Sequence, residues 1–237
     1  MVLLIDAGNS RLKWAWLRDG RPGDEAGIDV AALDGAPLAS AWRGARAVLY
    51  TCVAGDAVDA ALRAALPAGC TVHRIRAGDQ AAGLTNLYER PAQLGADRWV
   101  ALIGARTLAA GPLVVATAGT ATTVDALDAA DRFLGGYILP GLHLMLESLA
   151  RNTADLPHAQ GAPSDWPRNT DDAILNGCAG AQAALIGRVR DRLGFGATLL
   201  LSGGGADALA PHIEGEFRRA DNLVLRGLAR LAADVLK

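Results

Sequence analysis

"LVVATAGTATTVDALDAADRFLGGYI", residues 113–138, is an apolar run, a turn ending in Gly-Thr, a second run rich in Val, Thr and Ala, a charged turn and a third run. "VLLIDAGNSRLKWAWLRDGR", residues 2–21, has the same shape at the N-terminus. Short apolar runs bounded by Gly and Asp turns read as strands. The reading therefore predicts strands at Val2–Ile5 and Leu12–Leu17, and again at Leu113–Ala116, Thr122–Leu127 and Phe133–Leu139. The turn glycines, Gly8 and Gly119, lie 111 residues apart in a chain of 237. A repeat at that distance divides the chain into halves of about 110 residues, each an ordinary domain size.

Outward from the first hairpin, Gly20–Ser40 is rich in Gly, Asp and Pro, with one weak strand near Ile28–Val30. Ala47–Cys52 reads as a strand, Ala57–Leu66 as a helix stopped by Pro67, and Thr71–Ile75 as a strand. Ala92–Ala110 is helical and ends at Gly111-Pro112. Beyond the second hairpin, "PGLHLMLESLA" is expected to open a helix with Pro140 in its first turn. Arg151–Arg168 reads as a loop, and Asn169 caps a helix that runs to about Leu193. Thr198–Leu201 is a strand entering "SGGGAD", and Leu223–Leu236 is a closing helix. Alternating strands and helices predict an α/β fold of two similar halves, 1–111 and 112–237, each a mixed sheet flanked by helices.

Hydrophobic residues make up 51% of the chain and charged residues 20%, enough apolar material for a core. No apolar stretch is long enough to cross a bilayer, and no membrane partner is expected. The start lacks a basic n-region and a cleavage pattern, so no signal peptide is read there. Cys52, Cys70 and Cys178 are odd in number and lack metal-ligand spacing, which suits thiols in a reducing cytoplasm. A net charge of −2 without a Lys/Arg run provides no footprint for nucleic acid. An anionic ligand must then be held by local devices.

Glycine turns are such devices, because the backbone approaches a ligand closely and its N–H groups point at phosphate oxygens. In the segment Asp6, Ala7, Gly8, Asn9, Ser10, Arg11, Leu12 and Lys13, Asp6 ends a strand and is placed to hold magnesium through water. Gly8, Asn9 and Ser10 offer donors to phosphate, and Lys13 follows on the next strand. Gly119 and Thr120 repeat the arrangement in the second half. Gly203 and Gly204 end a strand in a run of glycines suited to a flat adenine or ribose. Each turn taken alone also reads as an ordinary hairpin. Three together point to a nucleotide cleft between the halves.

"DAGNS" at Asp6, "GADRW" at Gly95, "AGTATTVD" at Ala118, "GGYILPG" at Gly135 and "NTDDAILNG" at Asn169 together resemble type III pantothenate kinase. That family belongs to the acetate kinase–sugar kinase–Hsp70–actin superfamily, whose halves are of ribonuclease H-like type. The resemblance runs in the family's order over nearly the whole chain. It implies ATP-dependent phosphorylation of pantothenate to 4'-phosphopantothenate, the first step of coenzyme A biosynthesis, with ATP and Mg2+. The alternatives are a sugar or acetate kinase of the same superfamily and a non-catalytic nucleotide-binding regulator, such as a transcription accessory factor.

The resemblance assigns the general base to Asp97, a position where an aspartate also stabilises a helix N-terminus. Arg98 offers a planar fork for the pantothenate carboxylate, against the alternative of a surface salt bridge. Tyr88 and Thr170 match the family's substrate contacts, although a packed aromatic and a helix cap would explain them too. Gly95 and Ala96 are small enough for substrate to close on the backbone. Gly177, Gly180 and Gly187, each costing about 1 kcal/mol in a helix interior, suit close approach of another helix. The family pairs two subunits, so a homodimer is expected. The resemblance also implies a monovalent cation, potassium or ammonium, held by an aspartate where this chain has Thr117. A threonine hydroxyl carries no formal charge, so a weaker cation dependence is expected here.

Overall fold

The computed structural model describes residues 1–33 and 35–236. The chain divides into two compact units. The first opens with β1 (Val2–Ala7), β2 (Arg11–Arg18), β3 (Arg21–Pro22) and β4 (Ala26–Asp29), followed by α1 (Gly35–Ala41) and β5 (Ala47–Cys52). It continues with α2 (Asp56–Ala65), β6 (Thr71–Arg74), β7 (Gln80–Ala81), β8 (Leu84–Asn86) and α3 (Ala96–Arg106). The main sheet has the order β3-β2-β1-β5-β6, with β4 also on β2. β1 and β2 are antiparallel, whereas β1, β5 and β6 run parallel. Leu3, Leu4 and Ile5 of β1 and Val48, Leu49 and Tyr50 of β5 are fully buried, as expected of central strands covered on both faces.

The second unit contains β9 (Leu113–Ala118), β10 (Ala121–Leu127), β11 (Arg132–Pro140), α4 (Leu142–Asn152), α5 (Thr170–Leu193), β12 (Thr198–Ser202), α6 (Ala206–Leu209) and β13 (Arg218–Arg219). Its strand order, β13-β12-β9-β10-β11, repeats that of the first unit. β9, β10 and β11 form an antiparallel meander, and β12 and β13 extend the sheet in parallel. The register repeats as well. Asp6 lies between Lys13 on β2 and Thr51 on β5. Thr117 lies between Thr123 on β10 and Ser202 on β12. The two hairpins are thus one structural motif built twice, and Thr117 occupies the position of Asp6.

The chain closes with α7 (Leu223–Val235), which belongs to the first unit. This corrects the expected halves. The first unit is residues 1–108 with the segment from Asn222 onward, and the second is 109–221. The reason is a helix pair within the first unit. A Cβ on Gly104 of α3 would collide with the backbone carbonyl of Leu223, and one on Gly227 of α7 with that of Val100. Glycine at both positions lets the helices cross in backbone contact, an arrangement that close packing disallows for any larger residue.

Other expectations shift locally. Pro140 ends β11 and does not enter the next helix, which takes Gly141 as its N-cap. The helix expected over Ala92–Ala110 is confined to α3, because Pro91–Gln93 form a separate 3-10 turn. The Gly20–Ser40 stretch supplies two short strands and α1, and residues 80–86 form a hairpin not expected from the sequence.

Candidate active site

In the first unit, Gly8 N–H donates to the Arg11 carbonyl at 3.0 Å and closes the turn. Ala7 and Leu12 are fully buried, so these two anchor the turn in the core and offer a ligand only their backbone. Asn9 and Ser10 are exposed at the tip. Asp6 is half-buried, and the Thr51 hydroxyl, itself fully buried, donates to its Oδ1 at 3.1 Å. Burial first, and then the negative charge of Asp97, push the Asp6 carboxyl up to about 7; Thr51 and Lys13 oppose this. The structure thus brings Asp6 and Asp97, far apart in sequence, into one electrostatic neighbourhood. Lys13 Nζ lies 3.2 Å from Glu25 Oε1, and Arg11 is 3.6 Å from Asp29. The Lys13 ammonium is therefore already paired, a partner that the sequence did not indicate.

Asp97 and Arg98 occupy the first turn of α3, with Gly95 as N-cap. A Cβ on Gly95 would sit 2.6 Å from Asp97 Oδ1, so glycine there leaves room for the carboxylate to fold back over the helix start. Ala96 is half-buried beside it. Arg98 is only 6% exposed, which removes the surface salt bridge as its role. Its Nη1 donates to Tyr88 Oη at 3.0 Å, and its guanidinium lies 5.8 Å from the Tyr88 ring centroid. Asn86 fixes the tyrosine's backbone by accepting from Tyr88 N–H at 3.1 Å while donating to the Gly78 carbonyl. Tyr88 and Arg98 are thus one assembly.

The second unit holds the remaining candidates. Gly119 N–H donates to the Ala121 carbonyl at 3.1 Å, matching the closure at Gly8. The Thr120 carbonyl accepts from Gly141 N–H at 2.9 Å, tying this turn to the start of α4. A Cβ on Gly203 (φ +92°) would strike the Ala118 backbone, whereas a Cβ on Gly204 would meet no other atom of the described residues within 4 Å. Gly203 is therefore required by packing, and Gly204 is the glycine with open space for a ligand. Thr170 is the first residue of α5, and the cap itself is Asn169, whose Oδ1 accepts from Asp172 N–H at 2.8 Å. Thr170 also lines an open groove of about 690 Å³ with Leu149, Pro167, Arg168, Ile174 and Gly177. The sequence missed Gln182, fully buried on α5, which accepts from the Thr122 hydroxyl at 2.7 Å and donates to the Pro140 carbonyl at 3.2 Å. A glutamine inside an otherwise apolar helix face was the signal available, since a buried amide needs partners.

The model for type III pantothenate kinases matches residues 2–192. A protein of that name from Aromatoleum aromaticum is 48% identical over 99% of this chain and 98% of its own length. The chain belongs to the type III pantothenate kinase family. A solved structure from Campylobacter jejuni, named as a Baf family transcriptional activator, covers 99% of this chain and 98% of its own, with a TM-score of 0.67 at 21% identity. The ROK hexokinase of Thermus thermophilus covers 100% and 99%, with a TM-score of 0.53 at 13% identity. At these identities the two structures speak for the fold alone, two mixed sheets flanked by helices.

The donor set suits magnesium. Asp6 and the neighbouring Asp97 are hard oxygen donors whose mutual repulsion a cation relieves. Among the described residues no group of three or more His, Cys, Asp or Glu could hold a metal ion alone. No described helix is long and apolar enough to cross a membrane.

Proposed function

We propose that this chain transfers the γ-phosphoryl group of ATP to the hydroxyl of pantothenate, giving 4'-phosphopantothenate for coenzyme A synthesis in the cytoplasm. The observation that carries the reading is the start of α3, where the charge of Asp97 reaches Asp6 and Arg98 is buried and bonded to Tyr88. Phosphoryl transfer needs an in-line alcohol, neutralised phosphate charge and a group to take the alcohol proton. Asp97 orients the hydroxyl and accepts its proton. Arg98, with its plane set by Tyr88, takes the substrate carboxylate as a charge-assisted pair. The turn Asp6–Lys13 binds phosphate oxygens through Gly8, Asn9 and Ser10, with Arg11 at its edge. Thr120, Gly203 and Gly204 are assigned to the nucleotide, and Thr170 to pantothenate.

Magnesium would supply charge neutralisation on the phosphates, and Asp6 is the residue that would hold it. Thr117 lacks the carboxylate that the family uses for potassium or ammonium, and its strand neighbours Thr123 and Ser202 bring only hydroxyls. These residues do not fit a tightly held monovalent cation. A homodimer completes the proposal, because a Cβ at Gly177, Gly180 or Gly187 of α5 would meet no other atom of the described residues within 4 Å. ADP release measured with pantothenate, acetate and glucose tests the function. Turnover with pantothenate alone is expected. Turnover with glucose or acetate would indicate another kinase, and none with any of the three would point to a regulator.

A further inference from the structure

Arg219, on β13 and outside every motif singled out above, reaches the glycine turn that follows β12. Its Nη1 and Nη2 both donate to the Gly203 carbonyl at 3.3 Å, and Nη1 reaches the Leu201 carbonyl at 3.5 Å. Nε lies 3.3 Å from Asp207 Oδ1 in the first turn of α6, and Nη2 lies 3.3 Å from Asp221 Oδ1. The side chain is one-third exposed while making all of these contacts. A planar guanidinium distributes such donors in fixed directions, which a lysine does not.

The turn it holds has little freedom elsewhere. Gly203 adopts a left-handed φ of +92° and is pressed against Ala118. Gly205 N–H donates to the Ala118 carbonyl at 3.0 Å, and Ala206 N–H donates to the Gly203 carbonyl at 3.2 Å. Ala118 directly precedes the Gly119–Thr120 turn. One guanidinium thus ties the end of β12, the glycine run and α6 together, and through Gly203 it bears on the second phosphate turn. Gly204, with open space at its α-carbon, is carried by that frame.

We propose that Arg219 is a positioning residue for the nucleotide, acting through the plane of the Gly203–Gly205 turn and not by contact with pantothenate. The inference rests on the assignment of Gly203 and Gly204 to ATP made above. A surface salt bridge alone contributes little, so a structural role limited to the Asp207 and Asp221 pairs would leave nucleotide affinity unchanged.

The test is titration of R219A and R219K with a fluorescent N-methylanthraniloyl-ATP plus magnesium, alongside thermal melting and pantothenate kinetics. R219A is expected to weaken nucleotide binding about tenfold, the loss of one charge-assisted set of hydrogen bonds. Its pantothenate KM stays unchanged. R219K recovers less than half of the loss on a logarithmic scale, because an ammonium replaces the fork. Nucleotide affinity of R219A within twofold of the parent overturns the proposal, as does an equal rise in the pantothenate KM. Should R219A fail to fold, R219K decides: threefold weaker binding supports the role and unchanged binding overturns it. A parent that binds nucleotide but does not turn over pantothenate defeats the proposed function and leaves this inference standing. A parent that binds no nucleotide defeats both.

Discussion

Asp97 stands in the first turn of a helix, where a carboxylate also complements the helix dipole, and removing it separates the two roles. Asp97→Asn should keep the fold and nucleotide binding while lowering kcat by roughly 10²–10⁴-fold, the range of general base catalysis. Activity within threefold of the parent would make the residue structural. Asp6 gives a pH signature in protein free of nucleotide and magnesium. Its carboxyl is raised from an ordinary 3.8 to about 7, so the folded state binds more protons than the unfolded one across that interval. The stability that the proton confers is therefore full below the lower value and is lost as pH rises through the upper. Urea unfolding at pH 5 and pH 8 should show the parent weakening with pH, and Asp6→Asn should remove most of that slope. Equal slopes in the two proteins would refute the assignment. Thr117 supplies the third test at this scale. A unit charge a few Å away is worth about 4 kcal/mol at an effective dielectric of 20 before desolvation. The parent should respond weakly to potassium or ammonium against sodium at fixed ionic strength, and Thr117→Asp should strengthen the response. A sharp, saturable requirement in the parent would show that hydroxyls suffice.

At the scale of elements, α3 carries Asp97 and Arg98, and α7 sets where α3 lies. Their crossing depends on Gly104 and Gly227, each facing a backbone carbonyl that has no rotamer to yield. Gly227→Ala should destabilise the protein by about 1–3 kcal/mol or more, the cost of overpacking, despite alanine's better helix propensity. Denaturant unfolding measures it, and a variant as stable as the parent would mean that the helices separate without cost. The contrast lies in α5, where a Cβ on Gly177, Gly180 or Gly187 would meet no other atom of the described residues within 4 Å. Helix-interior glycines were legible in the sequence as costly choices, but the sequence directed attention to α5 and missed the pair in α3 and α7. Propensity reports the cost of a glycine and says nothing of what approaches it.

For the whole molecule, one topology occurs twice: an antiparallel meander beginning with the glycine hairpin, extended by two parallel strands. The C-terminal helix belongs to the first of the two units, so that unit is discontinuous in sequence. The open glycine positions of α5 leave a face that a second copy would cover. Static light scattering should therefore give twice the chain mass of 24.4 kDa at working concentration. A monomer mass would remove the dimer.

The repeat, the order of the motifs and the family they announce were determined by the sequence alone. Hairpin turns and helix caps are written in residues adjacent along the chain, and "DAGNS", "TAGT" and "NTDD" are read locally. Tertiary structure alone decided that Asp97 raises the pKa of Asp6, that Tyr88 holds Arg98, that Glu25 takes Lys13 and that Gln182 bridges β10 and β11. It also decided that Pro140 ends a strand and that the last helix joins the first unit. The physical reason is common to these cases. Each depends on groups distant in sequence meeting at a few Å, and both charge interaction and backbone contact act over distance in space, which local composition does not encode.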